Sequence, residues 1–165
     1  MFFNNVQSVN SGVNARMGFK ADLARGEAAE KIIAAKLINL HGGEVTYSEG
    51  QKGWDFEHKI GSVVTSWECK FDARAVSSKN CFLEFSCSGK DSGLTSTTSD
   101  RWAVMIPDQS ILLFCPKLMR AKLEEIGART ISGGDSKRAM GYLIKVEDVK
   151  KMEFVTEIKL TGDEI

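Results

Sequence analysis

The sequence predicts a single α/β domain, and three features support this fold class. The 165 residues, 42% of them hydrophobic, suffice to bury one sizeable core and are few for two. Apolar residues at three- and four-residue spacing predict a long amphipathic helix over 22–41. Short runs rich in β-branched and aromatic residues follow, separated by Gly, Ser, Asp and Asn. One domain with a helix, a series of mainly antiparallel strands and a later helix accommodates this order.

The elements can be placed in chain order. The first 15 residues, rich in Asn, Ser and Val, predict a loose N-terminal arm, and the helix after it ends at Gly42 and Gly43. Pro116 and Gly127 bound a second helix, and a short helical turn is expected over 146–151. The expected strands are EVTYS, WDFEHK, VVTSWECKF, CFLEFSC, RWAVMI, SILLF, GYLIKV and FVTEIKL.

Composition excludes several classes of protein. Lys plus Arg and Asp plus Glu both total 22, so the whole chain offers no electrostatic argument for a polyanionic partner, and any basic surface must be local. The four cysteines form no CxxC pair and the two histidines lack zinc-finger spacing, so a structural zinc site is not expected. Because the sequence shows no export signal, the thiols are expected to be free in a reducing cytosol. No export signal is recognisable and no apolar run approaches 18 residues, so we expect a soluble cytoplasmic protein without membrane contact.

The predicted hairpin over 54–71 carries the most informative spacing. If its strands pair through a tight turn at 60–61, Asp55 lies opposite Ser66, and Glu68 occupies the diagonal position on the same face. Strand alternation places Lys70 on that face too. The opposite face then receives an apolar set suited to packing: Trp54, Phe56, Trp67 and Cys69.

Two carboxylates and a lysine on one face predict a metal-assisted reaction at phosphate. Carboxylates about 7–8 Å apart at the backbone can lean onto one hard cation, and magnesium favours such oxygen ligands. The ion can polarise a phosphate oxygen and lower the pKa of a bound water. Lys70, one strand period beyond Glu68, can orient that water or offset transition-state charge. A solvated hairpin face carries the same residue types, so this pattern alone leaves both interpretations open.

Together with its surroundings, the hairpin resembles the PD-(D/E)xK nuclease superfamily. Asp55 and the E-C-K sequence at 68–70 carry the likeness, although Trp54 stands where the motif name has proline. The helix RGEAAEKIIAAKLINLHGG resembles the family's first helix, which maps a family acid to Glu30, with Glu27 as the competing position. The resemblance implies a restriction-endonuclease-like core, a mixed central β-sheet flanked by α-helices.

The resemblance also implies an activity, namely magnesium-dependent hydrolysis of DNA by an activated water without a covalent intermediate. Asp55 and Glu68 would hold Mg²⁺, for which Mn²⁺ should substitute. Glu30 would act directly or through water, the backbone carbonyl of Cys69 would be a further ligand, and Lys70 would orient or stabilise. Holliday junction resolvases, restriction enzymes and small phage and intron endonucleases belong to this superfamily.

Two polar loops are candidates for DNA contact. NCFLEFSCSGKDSGLTSTTSDRWAVMIPD resembles the third strand and following loop of phage-type members, and Ser96 and Thr97 there could reach phosphates. Lys137 and Arg138 in SGGDSKR could grip a phosphate, but this loop lacks the GxxxxGK[ST] pattern of a nucleotide-binding site. Glu84 is either an auxiliary acid or an ordinary strand glutamate.

The substrate and the assembly stay open at this stage. A structure-selective enzyme that resolves branched DNA, a site-specific homing or restriction-type endonuclease, and a DNA-binding remnant of the fold without activity are the three alternatives. Because one compact domain offers one active site, a homodimer or higher homo-oligomer is expected to serve two strands of one DNA.

Overall fold

The computed structural model describes residues 10–49, 53–134 and 137–161. Within these ranges the helices and strands follow the predicted order, with additional short elements. They are α1 (Asn10–His41), β1 (Glu44–Tyr47), β2 (Phe56–Ile60), β3 (Val63–Phe71), α2 (Arg74–Ser78), β4 (Asn80–Cys87), β5 (Lys90–Asp91), β6 (Arg101–Ile106), β7 (Ser110–Phe114), α3 (Pro116–Glu125), β8 (Thr130–Gly133), β9 (Ala139–Lys145), α4 (Val146–Lys150) and β10 (Thr156–Lys159).

Helix α1 is longer than predicted. It begins at Asn10, so residues 10–15, assigned from sequence to a loose arm, are helical, and residues 1–9 lie outside the described ranges. Its buried face carries Ala29, Ile33, Ala34 and Leu37, at the spacing that predicted the helix. The apolar stripe is shorter than expected, because Leu23 and Leu40 near its two ends are 54% and 57% exposed.

Two glycines end α1 and start the sheet. Gly42 adopts a left-handed conformation (φ +70°), and its N–H donates to the carbonyl of Ile38, 2.8 Å away, as in a helix C-cap. Gly43 also has a positive φ, and a β-carbon there would lie only 2.2 Å from the carbonyl oxygen of Lys59. The chain can therefore turn directly from the helix into β1 because this backbone approach requires glycine.

A mixed six-stranded sheet forms the centre of the fold. Its order is β1-β2-β3-β6-β7-β10, with β3 and β6 parallel and the other neighbours antiparallel. A parallel pair needs a long crossover, and the segment from Asp72 to Asp100 supplies it while carrying α2, β4 and β5. The predicted α/β class with a mixed sheet is confirmed.

A second sheet, which was not predicted, covers one face of the first. β5, β4, β9 and β8 pair antiparallel in that order, and their buried residues Cys81, Leu83 and Ile144 join a core with Trp102, Val104, Ile106, Leu112 and Phe114 of the six-stranded sheet. Met119 and Leu123 of α3 and Val146 and Val149 of α4 belong to the same core. This face is therefore covered by helices and a second sheet, and not by helices alone.

Helix α1 covers the opposite face. Its buried residues pack against Phe56, Trp67, Ala103, Met105, Ile111 and Leu113. Cys69 packs against this core too, so three of the four residues predicted for the apolar face of the hairpin lie there. Each face of the six-stranded sheet thus has its own core, and the carboxylate-bearing face of β3 looks toward the second sheet.

Candidate active site

The β2–β3 hairpin has a different register from the predicted one. Its two-residue turn is Gly61–Ser62, with Ile60 paired to Val63 and Phe56 paired to Trp67. Gly61 has φ +60° at the first turn position, where a type II′ turn places glycine, whereas a β-branched isoleucine is poorly suited to a turn position. The turn is one residue later than expected, which moves the pairing by two residues and so leaves Phe56, Trp67, Glu68 and Lys70 on their predicted faces.

Asp55 is bound to β3 through its backbone and its side chain. It precedes β2, and its N–H donates to the carbonyl of Trp67 at 2.8 Å. Its Oδ2 accepts the backbone N–H of Cys69 at 2.6 Å, and its own carbonyl accepts the N–H of Ser48 at 2.8 Å. Asp55 therefore lies beside Glu68 and not opposite Ser66, and its carboxylate is fixed against the strand that carries Glu68.

Glu68 and Lys70 point to the same face of β3, as predicted. The Lys70 ammonium forms an ion pair with Glu68 Oε1, and the side chains are 45% exposed for the lysine and 21% exposed for the acid. In the parallel pairing with β6, Glu68 lies beside Trp102 and Lys70 beside Val104. The acid is thus partly shielded between two strands while the lysine reaches toward solvent.

Glu30 of α1 lies within electrostatic reach of both carboxylates. Burial raises the pKa of its carboxyl group, and the charges of Asp55, Glu27 and Glu68 raise it further while Lys31 lowers it. Glu30 is partly buried, whereas Glu27 is exposed. Of the two alternatives in this helix, Glu30 is the acid with the partly buried position beside the hairpin.

The carboxylates of the candidate site carry an excess of negative charge, which a cation would balance. Burial and the charges of Asp55 and Glu68 raise the pKa of the Glu30 carboxyl group, and Lys70 pairs with Glu68. Among the described residues, no group of three His, Cys, Asp or Glu side chains is drawn together as a formed metal site. The residue types and excess charge fit a hard divalent cation, which would draw the oxygens together.

The thiol of Cys69 is excluded from this chemistry by its position. It packs on the α1 side of the sheet. Burial raises its pKa well above the usual value, and the charges of Asp55, Glu30 and Glu68 act in the same direction. A protonated thiol facing a core is a poor nucleophile. Its backbone carbonyl as a metal ligand stays a prediction.

A cleft of about 1010 Å³ between the two sheets contains three of the four candidate site residues, and Glu30 is not among the residues that line it. Asp55, Glu68 and Lys70 line it. Acidic residues outnumber basic ones in its walls, which hold Asp22, Asp55, Glu68, Asp72 and Glu84 against Arg25, Lys70 and Arg74. A second cavity, of about 920 Å³ between α3, β9 and α4, contains none of the predicted site residues.

Sequence reasoning missed several of these cleft residues. Trp102 lines the cleft and is 2% exposed, and its strand was predicted without its position next to β3. Asp72, at the end of β3, accepts the N–H of Ala75 at 3.0 Å. Knowing that β6 is the neighbour of β3 would have placed these residues at the cleft. A parallel pairing across a long crossover leaves no local sequence signal from which to know it.

The Ser/Thr loop over 92–99 forms one wall of the cleft. Ser96 is exposed and lines it. The Thr97 hydroxyl is engaged internally, because it accepts the indole N–H of Trp102 at 3.1 Å. A β-carbon at Gly53 would lie 2.4 Å from Thr98 Oγ1, so this loop touches the chain just before Asp55.

The glycine loop contributes to the cleft through its first residues. Ser132, Gly133 and Gly134 line it, while Lys137 and Arg138 are exposed and do not. The N–H of Lys137 donates to the Gly134 carbonyl at 3.2 Å, and the carbonyl of Arg138 accepts the N–H of Ser88 at 3.0 Å. Residues 135 and 136 lie outside the described ranges.

Glu84 reaches the cleft but is already engaged. Its Oε1 accepts the hydroxyl of Ser92 at 2.6 Å, and its backbone carbonyl accepts the N–H of Leu94 at 2.8 Å. A β-carbon at Gly93 would lie 2.2 Å from that carbonyl oxygen. These contacts give Glu84 a structural role in fastening the Ser/Thr loop to β4.

Comparison with protein-family models, with curated proteins and with solved structures yields no match to this chain. Its function must therefore be argued from the residues themselves. All four cysteines are described and are free thiols, as predicted. Across the described residues, no helix combines the length and the apolar character needed to cross a membrane.

Proposed function

We propose that this protein is a magnesium-dependent DNA endonuclease built on a restriction-endonuclease-like core. One observation carries the proposal: Glu30, Asp55 and Glu68, from α1, the start of β2 and β3, share one electrostatic neighbourhood beside Lys70. Asp55, Glu68 and Lys70 line the cleft, and Glu30 of α1 lies within electrostatic reach of both acids. Carboxylates and a lysine are the residue types that metal-assisted phosphodiester hydrolysis requires. The spacing of Asp55, Glu68 and Lys70 in the sequence, which resembles that of PD-(D/E)xK nucleases, also supports the proposal.

Asp55 and Glu68 would hold the ion, with the Cys69 carbonyl as a further ligand and Glu30 binding directly or through water. Mg²⁺ prefers such oxygen donors, and Mn²⁺ accepts the same set. When bound, the ion would polarise a phosphate oxygen and lower the pKa of a water molecule. No reaction step needs a covalent bond to the protein.

The chain's own residues would orient the reaction. The Cys69 N–H donates to Oδ2 of Asp55, which would leave the other carboxylate oxygen for the cation. Lys70, partly exposed at the same face, is positioned to donate a hydrogen bond to the attacking water or to a phosphate oxygen. Burial and like charge raise the pKa of the Glu30 carboxyl group, and a bound cation would lower it by offsetting the charges of Asp55 and Glu68.

The charge of the cleft suggests how DNA would bind. With more acidic than basic residues in its walls, the cleft by itself would repel a polyanion. A divalent cation would neutralise part of that charge, and the exposed residues Lys137, Arg138 and Ser96 could contact phosphates. DNA affinity should therefore increase when Mg²⁺ is present.

The experiment that tests the proposal is incubation of purified protein with linear, supercoiled and four-way-junction DNA, with and without Mg²⁺. Cleavage that requires Mg²⁺ or Mn²⁺ supports the endonuclease. Cutting of junctions of unrelated sequence would identify a resolvase, and cutting of one duplex sequence would identify a site-specific enzyme. DNA binding without cleavage in either metal would contradict the proposal and identify a DNA-binding remnant.

Two copies of the chain would serve the two strands of one DNA. A single domain supplies one set of Glu30, Asp55, Glu68 and Lys70. Symmetric assembly is the simplest way to present two such sets. Light scattering should detect a homodimer or larger homo-oligomer, free or with DNA, and a monomer in both states would contradict this part of the proposal.

A further inference from the structure

The ring of Trp102 lies beneath the ammonium of Lys70. The distance from Lys70 Nζ to the ring centroid is 5.4 Å. This is within the roughly 6 Å over which an aromatic face attracts a cation. Trp102 is 2% exposed and neighbours Glu68 in the β3–β6 pairing. The indole is thus a buried, fixed surface, whereas the lysine is a long and partly exposed side chain.

A hydrogen-bond network fixes the orientation of this indole. Its Nε1–H donates to Thr97 Oγ1 at 3.1 Å. That oxygen also accepts the Ser99 N–H at 3.3 Å and shares a hydrogen bond with the Ser99 hydroxyl at 2.9 Å. Phe114 packs against the ring, with centroids 6.2 Å apart. The face under Lys70 therefore cannot rotate away without breaking several contacts.

Among the described residues, Lys70 contacts the Glu68 carboxylate and the Trp102 ring. A bound metal would affect these two contacts differently. The ion pair with Glu68 depends on a carboxylate that the proposed metal also needs. A divalent cation bound there would neutralise Glu68 and repel the ammonium. The Trp102 ring carries no net charge, and its attraction for the ammonium does not depend on Glu68.

We infer that Trp102 is a positioning residue that keeps the Lys70 ammonium at the candidate site when Glu68 is engaged by a cation. The catalytic role of Lys70 rests on the proposed function, but its position over Trp102 can be measured without cleavage. Without such a surface, a lysine released from Glu68 would regain its side-chain freedom in solvent. Contact with the Trp102 ring would restrict this motion and keep the ammonium near the candidate site.

The test is NMR of protein labelled with ¹³C at the lysine ε-carbons. The ring current of Trp102 should shift the Lys70 ε-methylene protons upfield of the other lysines, and Lys70→Arg assigns the signal by removing it. The shift should persist in Glu68→Gln, where the competing carboxylate charge is gone, and after addition of Mg²⁺ to the wild type. Trp102→Leu should abolish it and Trp102→Phe should reduce it.

Trp67→Phe is the matched control, because it replaces a buried indole by a smaller ring in the other core, on the α1 side of the sheet. It should leave the Lys70 signal shifted. A wild-type Lys70 signal within the range of the other lysines, or a shift that disappears in Glu68→Gln, would overturn the inference. If Trp102→Leu fails to fold, the Lys70 signal in Glu68→Gln still tests the inference.

Cleavage provides a second readout that separates this inference from the proposed function. In an active protein, Trp102→Leu should lower turnover about two- to thirtyfold, the range expected from losing such a contact, with little change in KM for DNA. Wild-type turnover in a folded Trp102→Leu variant would overturn the positioning role. A wild type that cuts no DNA but shows the expected NMR pattern would reject the proposed function and retain the inference.

Discussion

Asp55 and Cys69 are joined across the hairpin by a hydrogen bond from the Cys69 N–H to the Asp55 carboxylate, 2.6 Å long. Asp55 lies just before β2, so this bond attaches an irregular part of the chain to the C-terminal part of β3. The bond leaves the other carboxylate oxygen for a ligand. A structural and a proposed functional role therefore meet in one side chain, and substitutions can separate them.

Asp55→Asn should weaken Mg²⁺ binding strongly while preserving the fold, because the amide oxygen can still accept the Cys69 N–H but the negative ligand is lost. Asp55→Ala should lose both and destabilise the protein by about 1–3 kcal/mol, the cost of an unsatisfied buried donor. Calorimetric Mg²⁺ titration and urea unfolding measure the two effects.

Asp100→Ala is the matched control for the substitutions at Asp55. Asp100 Oδ2 accepts both the N–H and the hydroxyl of Ser66 at 2.9 Å, so it too fastens a loop to β3, but it is absent from the cleft lining. This variant should be destabilised yet bind Mg²⁺ normally. If Asp55→Asn binds Mg²⁺ like the wild type, Asp55 is not a metal ligand.

Lys70→Met should leave binding of Mg²⁺ and DNA nearly unchanged and lower turnover by on the order of a hundredfold or more, because the ammonium acts on the water or on transition-state charge. Single-turnover cleavage and calorimetry would distinguish these effects. Lys90→Ala, at an exposed residue of β5, is the control lysine and should retain activity. Full activity of Lys70→Met would mean that the ion pair with Glu68 is only a surface contact.

Glu30 should make stability depend on pH in a defined direction. Its folded-state pKa is raised above the ordinary value of 4.5, chiefly by burial and then by Asp55, so its contribution to stability is fully present below the unfolded pKa. That contribution is lost as pH rises through the folded-state pKa. Glu30→Gln, which stays neutral, should therefore be more stable than the wild type at pH 7 and should be less active.

Thermal unfolding from pH 3 to pH 8 tests this expectation. The stability difference between Glu30→Gln and the wild type should grow as pH rises, and Mg²⁺ should stabilise the wild type more than the variant. Glu27→Gln, one helical turn earlier and exposed, is the matched control and should follow the wild type more closely. Parallel pH profiles for Glu30→Gln and the wild type would show that Glu30 does not interact with Asp55 and Glu68.

Two glycines should respond to alanine in opposite directions. Gly26 lies inside α1, and a β-carbon added there would meet no neighbouring atom within 4 Å, so Gly26→Ala should stabilise by about 0.5–1 kcal/mol. At Gly43 a β-carbon would lie 2.2 Å from the Lys59 carbonyl at a positive φ, so Gly43→Ala should destabilise. Urea unfolding measures both, and a destabilised Gly26→Ala would indicate a contact absent from this fold.

The sequence predicted what depends on local pattern. The run VVTSWECKF coincides with β3 over Val63–Phe71, and PKLMRAKLEEIG contains α3 from Pro116 to Glu125. The faces of the hairpin were also correct, since an error of one residue in the turn changes the pairing by two. Asp55 and Glu68 therefore stayed together although Ser66 was the wrong partner.

Properties that depend on distant pairing were not accessible from sequence. β4 and β9 pair to build the second sheet although some 50 residues separate them, and no local pattern distinguishes their partners. For the same reason the place of Trp102 beside Glu68 was missed. The helical start at Asn10 was missed because the first residues lack a period in their apolar positions.

The most direct test of the central claim is nicking and linearisation of supercoiled plasmid by the wild type and by Asp55→Asn, purified identically and compared across a Mg²⁺ titration. Asp55→Asn should keep its fold because it keeps the bond to Cys69, so a contaminating nuclease or an unfolded chain cannot produce a difference between the two. We predict cleavage by the wild type that rises with Mg²⁺ and is lost or strongly reduced in Asp55→Asn. Equal cleavage by both proteins, or none by the wild type in Mg²⁺ or Mn²⁺, would contradict it.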